Sequence, residues 1–403
     1  MTTTPRSLPR RRPTEAGPRP NVARVAVRRI FKAETTDFFL LLGTTVFIVL
    51  FGLVMVLSSS SIEARSETGS AFGAFTRQAV FGAAGIAVML LASRAPIFFW
   101  KKWAPRAILF AIGFQLLVFT PLGIAVGGNR NWVDLGLFTA QPSETVKLAL
   151  VLWLAFMLSS RPELLDDWRK LGATIAPFVV VSVGLVLGGH DLGTGIVLII
   201  LVFGALFFGG VRLRYLGVAA AGAALVGFAL SQVGGSRVSR ISAWLNGCTE
   251  ENLLDVCWQP QHGTWALAAG GLFGRGLGNS DMKWNWLPEA DNDYIFAIIG
   301  EELGLVGAVL VLGLFVLLAI TFVRIIRSSR DPFAKIATAA VMTWIIGQAL
   351  INIAVVLGVL PVLGVPLPMI SAGGSALIVT LLGVGIVLSF TRTRPEPVQE
   401  PLS

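Results

Sequence analysis

Between Lys283 and Gly304 the chain reads KWNWLPEADNDYIFAIIGEELG, which sets Glu289, Asp291, Asp293, Glu301 and Glu302 beside or within a long apolar run. Ionised groups at bilayer depth are costly unless they are paired or face a wet cavity, so acids in such a run point to a functional site. A carboxylate there can take a proton from a hydroxyl, and nearby cations can meet the negative charge of a departing group. Asp293 falls at or just before the first turn of the predicted helix, where capping by the helix dipole is the structural alternative. Glu301 and Glu302 lie about two turns deeper, beyond the reach of a cap. For them the structural alternative is burial against a partner such as Lys335 or Lys147.

Other segments could complete such a site. Arg237 and Arg240 precede the glycine-rich run GGLFGRGLGNS, Gly270 to Ser280, which contains Arg275 and is followed by Lys283. Glycines permit positive φ and close backbone approach, so the run can present amides to an anion. It lacks the Lys and Ser placement of a P-loop and follows no predicted strand, and a flexible loop or a tight turn at the membrane surface is the alternative. A second cluster, GGNRNWVDLGLFTAQPSETVK, runs from Gly127 to Lys147. Pro142 suits the first helical position and Glu144 the first turn. Glu144 and Lys147, spaced i, i+3, can neutralise each other on one helix face. Arg130 and Asp134 are left in the loop, with Arg130 a candidate ligand for phosphate. In the third segment, Asn352 to Ser375, three prolines and a GGS turn cannot continue a helix. Broken backbone at membrane depth is tolerated only against protein or water, so this segment is expected to shape a cavity wall.

His190 and His262 do not supply a metal triad, and no Ser-His-Asp set is present. Cys248 and Cys257 fall in a loop predicted to lie outside the membrane, where a disulfide or two separate buried thiols are both open.

The elements that must position these residues are membrane helices. With 54% apolar and 14% charged residues over 403 positions, and a mean hydropathy of +0.75, the chain is an integral membrane protein rather than a set of soluble domains. The net charge of +9 sits in short loops and the N-terminal tail, not on a basic surface interleaved with aromatics, which argues against a nucleic-acid partner. Runs of about 18 or more apolar residues predict ten spans. They fall near 37–60, 75–93, 106–126, 143–160, 171–188, 192–210, 215–233, 293–323, 333–358 and 373–391. Lys and Arg cluster in the tail and in alternate connections, as in Arg94, Lys101 and Lys102, then Arg161, Arg169 and Lys170, then Arg212 and Arg214, then Arg324, Arg327 and Arg330. The positive-inside rule then puts both termini in the cytoplasm. Segments 127–142, 234–292 and 359–372 open on the other side, and the long 234–292 loop between spans seven and eight is the chief functional suspect. The organisation expected is a basic, disordered cytoplasmic tail (1–36) without a cleavable signal, an all-α polytopic domain (37–391), and a short cytoplasmic tail (392–403). No repeat of fixed period and no matched pair of interrupted helices is visible.

The segments RNWVDLGLFTAQPSETVK, HDLGTG, RVSRISAWL, GGLFGRGLGNSDMKWNWLPEADNDYIFAIIGEELG and LGVLPVLGVPLPMISAGGS resemble, in order, the signature blocks of the SEDS family, named for shape, elongation, division and sporulation. The resemblance covers most of the chain, is closest to the FtsW or division type, and has the RodA or elongation type as near rival. It implies a ten-helix bundle in the bacterial plasma membrane, at the division septum, acting as a peptidoglycan glycosyltransferase that polymerises lipid II outside the cytoplasm. It further implies an essential acid at Asp293, important positions at Lys283, Glu289, Arg130, Glu144 and Lys147, and a class B penicillin-binding protein as transpeptidase partner alongside other division proteins. The chain departs from the common pattern at Gly189 and His190 before Asp191, at Asn131 before Trp132, and at Asp291; the cysteine pair is not a family feature.

The reaction so implied is attack of a sugar 4-hydroxyl on the anomeric carbon of a second lipid-linked disaccharide, with inversion and loss of undecaprenyl pyrophosphate. Asp293 is the expected general base, and Lys283, with Arg130 or Arg275, the expected cation for the leaving group. A divalent ion, Mg or Mn, held partly by Asp293 or a neighbouring acid fits the same chemistry. The rival classes are a lipid II flippase or other transporter, whose charged site should lie near the midplane, and a structural scaffold, which leaves the intramembrane acids without a role.

Overall fold

The computed structural model describes residues 35–392 except positions 69, 71, 127–128, 137, 232–234 and 285. Both predicted tails, apart from their innermost residues, lie outside these. Helices α1 (Thr36–Thr68), α2 (Gly73–Ala92) and α3 (Ile97–Leu116) lead into a three-stranded antiparallel sheet, β1 (Gly123–Val126), β2 (Asn129–Asp134) and β3 (Thr139–Ala140). Then follow α4 (Pro142–Ser160), α5 (Trp168–Gly188), α6 (Leu192–Phe208), α7 (Leu213–Ser231), α8 (Gly235–Asn246) and α9 (Trp258–Gly270). The chain closes with α10 (Ile295–Ser328), α11 (Pro332–Val356) and α12 (Gly374–Thr391).

Eight of these helices (α1–α5 and α10–α12) are long and apolar enough to cross a bilayer, and Leu192–Phe208 and Leu213–Leu225 are shorter apolar helices. The centre of the bundle is α4 and α11. In their most apolar stretches 72% and 67% of the residues are buried, against 22% for α2 and 28% for α5 and α10. Their sequences reflect this: α4 is apolar on all sides past its first two turns, as a helix enclosed by others must be.

Three sequence expectations need correction. The third span was expected at 106–126, but α3 starts at Ile97 and ends at Leu116. Lys101, Lys102 and Arg106 lower the apolar score of its first turns, yet long basic side chains extend to the membrane surface, and Lys101 pairs with Asp331 at 2.7 Å. The stretch Gly123 to Val126 is strand, not helix, because Thr120-Pro121 ends the helical run and any side chain at Gly123 would strike the Val118 carbonyl. It pairs with β2 through Gly123 opposite Val133 and Ile124 opposite Trp132. The 234–292 segment is not a bare loop, since it contains α8 and α9.

The eighth span is broken at Gly304 (φ 67°, ψ −162°), and the way it is broken shapes the site. Arg275 N–H donates to the Glu301 carbonyl (3.0 Å) and Gly276 N–H to the Glu302 carbonyl (2.9 Å). In return Leu305 and Val306 N–H donate to the carbonyls of Gly271 (2.9 Å) and Leu272 (3.2 Å). The backbone groups left over at the break are therefore satisfied by the glycine-rich segment, which splices across it. A Cβ at Gly274 would strike Glu302 and Gly304 backbone, and one at Gly304 would strike Gly274 and Leu272. The run GGLFGRGLGNS is glycine-rich where two backbones meet, and the amides of Gly274, Arg275, Gly276 and Gly278 are engaged inside the protein.

Candidate functional site

Asp293 lies immediately before α10, with three consecutive carbonyls around it held by distant elements. Ala372 N–H donates to the Asp291 carbonyl (2.8 Å), Ser371 Oγ to the Asn292 carbonyl (2.7 Å), and Asn352 Nδ2 to the Asp293 carbonyl (2.7 Å). The end of α11 and the broken segment after it thus clamp the acid's backbone, a more specific role than the cavity wall expected from the prolines. Asn352 also donates to the Val365 carbonyl (2.7 Å), and Gly364, at φ 67°, brings its backbone against the Asp293 carboxylate.

The carboxylate itself is half-buried, and its Oδ1 is shielded with no hydrogen-bond partner among the described residues. Burial, reinforced by the negative charges of Glu289, Asp191 and Asp291, pushes the Asp293 carboxyl up to about 7 against the pull of the Arg240 guanidinium. Glu289 sits at φ 56° and accepts from Asn292 Nδ2 (3.1 Å). Asp191 caps α6, accepting from Thr194 N–H and Oγ1 (both 2.9 Å). It also draws in Asn131 Nδ2 (3.1 Å) from β2 and Gln141 Nε2 (3.3 Å) from the turn before α4. These contacts bring the segments RNW, QPSET, HDLGTG, SRISAW and DND to one place.

Among the expected site residues, Glu289 shares the field of Asp293. Arg130 is tied to the same region, its N–H donating to the Gly189 carbonyl (2.9 Å) and its Nη2 to the Thr120 carbonyl (2.8 Å). Lys283 is engaged elsewhere: its ammonium donates to the Gly278 carbonyl (2.5 Å) and lies 3.4 Å from Glu302, whose carboxylate also accepts from Ser58 Oγ (2.7 and 2.6 Å). Glu301 accepts from Ser280 Oγ (2.5 Å) and Asp281 N–H (2.9 Å), while Arg275 pairs with Asp281. The partners of Glu301 and Glu302 are therefore Ser280, Asp281 and Lys283 from the segment that follows the splice and Ser58 from α1, not Lys335 or Lys147. Cys248 and Cys257 are joined in a disulfide.

Glu144 and Lys147 form the i, i+3 pair at 2.8 Å, with side chains only 4% and 2% exposed. Lys147 also donates to Gln348 Oε1 (3.0 Å), and Gln348 Nε2 to the Pro366 carbonyl (2.9 Å). The pair buttresses the segment that faces Asp293. Asp191, Asn352 and Ser371 are the members sequence reasoning missed as site residues; the HDLGTG cap pattern and the polar Asn352 in an apolar helix are signals that could have found two of them. No three His, Cys, Asp or Glu side chains among the described residues form a metal-binding group. A divalent ion would thus take at most one or two protein carboxylates and fill its shell from pyrophosphate and water.

Residues 38–396 match the model of a family of cell cycle proteins named for FtsW, RodA and SpoVE. A probable peptidoglycan glycosyltransferase FtsW of Mycobacterium tuberculosis is 38% identical over 364 residues, covering 90% of this chain and 69% of that one. The stage V sporulation protein E of Bacillus subtilis is 34% identical over 368 residues, covering 89% and 98%. Among solved structures, a chain from a peptidoglycan synthase complex described as coordinating polymerization and crosslinking superposes with a TM-score of 0.70 at 26% identity, covering 86% of this chain and 95% of that one. Thermus thermophilus RodA superposes at 0.64 with 27% identity, over 87% and 95%.

Proposed function

The chain belongs to the FtsW, RodA and SpoVE family and is a peptidoglycan glycosyltransferase, and on that premise we propose that it polymerises lipid II with Asp293 as the general base. A sugar 4-hydroxyl loses its proton to Asp293 as its oxygen bonds to the anomeric carbon of a second lipid II. The bond from that carbon to the pyrophosphate oxygen breaks, the electron pair leaves with undecaprenyl pyrophosphate, and the anomeric centre inverts. The reading is carried by one observation: a carboxylate with a shielded, unbonded oxygen and a proton affinity near neutrality, fixed by three backbone clamps at the mouth of a membrane helix. A base works best when its pKa lies near the working pH.

Arg240, whose charge acts on Asp293, and Arg130, anchored on Gly189, are the cations proposed to meet the leaving pyrophosphate. Lys283 and Arg275 position the loop at the helix break. Glu144 and Lys147 act on Asp293 through Gln348 and the 364–366 backbone. Both of these pairs are positioning residues here.

In this reading the two shorter apolar helices complete ten spans, residues 37–391 form one domain, and both termini are cytoplasmic with segment 234–292 outside, as the positive-inside rule expects. The partner is a class B penicillin-binding protein that crosslinks the nascent glycan, and the likeness to FtsW proteins favours the division septum over elongation.

The test is glycan synthesis from lipid II by the purified protein with its transpeptidase in vesicles. Asp293→Asn should make no polymer while remaining folded and paired, and polymerisation at the unmodified rate would overturn the base assignment. Lipid translocation measured in the same vesicles separates the carrier class, which requires movement of lipid II without product.

A further inference from the structure

A cavity of about 870 Å³ opens between α5, α6 and α7, and nothing in the reaction uses it. On α5 its lining runs from Trp168 to Val180 at three- and four-residue spacing, a single helical stripe. Twelve residues of helix rise about 18 Å, close to the ~15 Å depth of one leaflet. The walls are aliphatic and aromatic except at one end, where Arg214 and Tyr215 from the start of α7 line the mouth beside Trp168.

That mouth is positively charged. Arg214 lies 4.8 Å from the Tyr215 ring and donates to its hydroxyl (2.9 Å), and Arg169 sits over Trp168 at 5.5 Å. Arg161, Lys170 and Arg212 belong to the same end, with Asp166 and Asp167 offsetting Arg212 and Lys170. The groove lies in the leaflet opposite the catalytic acid. Asp191, whose charge acts on Asp293, caps the start of α6, whereas the lining of α6 begins only at Ile199 and continues to Leu206.

We propose that the α5–α6–α7 groove is a binding site for an anionic phospholipid of that opposite leaflet, with an acyl chain along the aliphatic stripe and the phosphate at Arg214 and Tyr215. Length favours a chain that ends at the midplane, and charge favours a headgroup of net negative sign, since each basic residue near an anionic surface adds about 1 kcal/mol of attraction. An undecaprenyl chain whose pyrophosphate sits at Asp293 would enter from the other face.

The experiment is native mass spectrometry of the full-length protein released from vesicles of phosphatidylcholine with about one-third phosphatidylglycerol, an arbitrary working ratio under which surface charge acts. Retained phosphatidylglycerol is expected in excess over phosphatidylcholine, to fall roughly five-fold in Arg214→Gln and to be preserved in Arg214→Lys. Ala223→Trp, which fills the groove two turns away from Tyr215, should remove bound lipid of both kinds. Equal retention of the two lipids, unchanged retention in Ala223→Trp, or retention of added undecaprenyl phosphate in place of phosphatidylglycerol would each overturn the proposal.

Discussion

The Lys283 ammonium lies 3.4 Å from the Glu302 carboxylate, with the two side chains 4% and 0% exposed. A cation so enclosed, already donating to the Gly278 carbonyl, is held by the protein's own groups. Removing one member of a buried pair leaves the other uncompensated, typically at about 3–5 kcal/mol. Lys283→Met is therefore expected to lower the denaturation midpoint in detergent sharply, and Lys283→Met with Glu302→Leu to recover much of the loss. Unaltered melting in the single variant would show that the pair is not internal.

Asp293→Asn should cost roughly a hundred- to ten-thousand-fold in polymerisation rate. It should also stabilise the fold. A carboxyl raised from 3.8 to about 7 keeps its proton in the folded protein while the unfolded chain loses it, so the penalty builds from about pH 4 to about pH 7 and is constant above. The variant's advantage in thermal melting should thus be larger at pH 7.5 than at pH 5; an advantage independent of pH would contradict it.

The rate of polymerisation should rise with pH through a midpoint near 7 as Asp293 ionises. Arg240 pulls that midpoint down and Glu289 pushes it up. Arg240→Gln is expected to move the profile by roughly half a unit toward alkali and Glu289→Gln by a similar amount toward acid. Shifts of the same sign in a pH–rate titration would exclude these groups from the field of the acid.

Gly304 occupies backbone space open essentially to glycine alone. Gly304→Ala should cost about 1–3 kcal/mol from the backbone, with a further contribution from contact with Gly274. Hydrogen exchange should show faster opening of residues 271–276 together with 301–306; exchange confined to one of the two segments would mean that they are not spliced.

Joint replacement of Cys248 and Cys257 by Ser should lower stability by about 2–3 kcal/mol. A reductant should do the same to the unmodified protein and nothing further to the variant, as read by thermal melting.

What could be read in the sequence was local. The Glu144–Lys147 pair follows from i, i+3 spacing, and Asp293 stands out because an acid opens an apolar run. The clamp on Asp293 was not legible, since Asn352 is 59 residues away and Ser371 is 79 residues from the Asn292 it holds. Nor was the pairing of Lys283 with Glu302, because both sides of that contact depend on a helix interruption that Gly304 signals no more strongly than the other glycines in the spans. The β1 strand was hidden by its apolar residues, which continue the composition of α3, and the start of α3 by its lysines.

A rod interrupted at Gly304 and mended by the chain that precedes it is two levers with a shared joint. The short lever follows directly on Asp293 and answers to the glycine-rich segment woven into the joint, while the long one carries most of the exposed apolar surface. A displacement of residues 271–276 is thereby passed to the stretch that begins beside Asp293 without travelling along the long apolar rod.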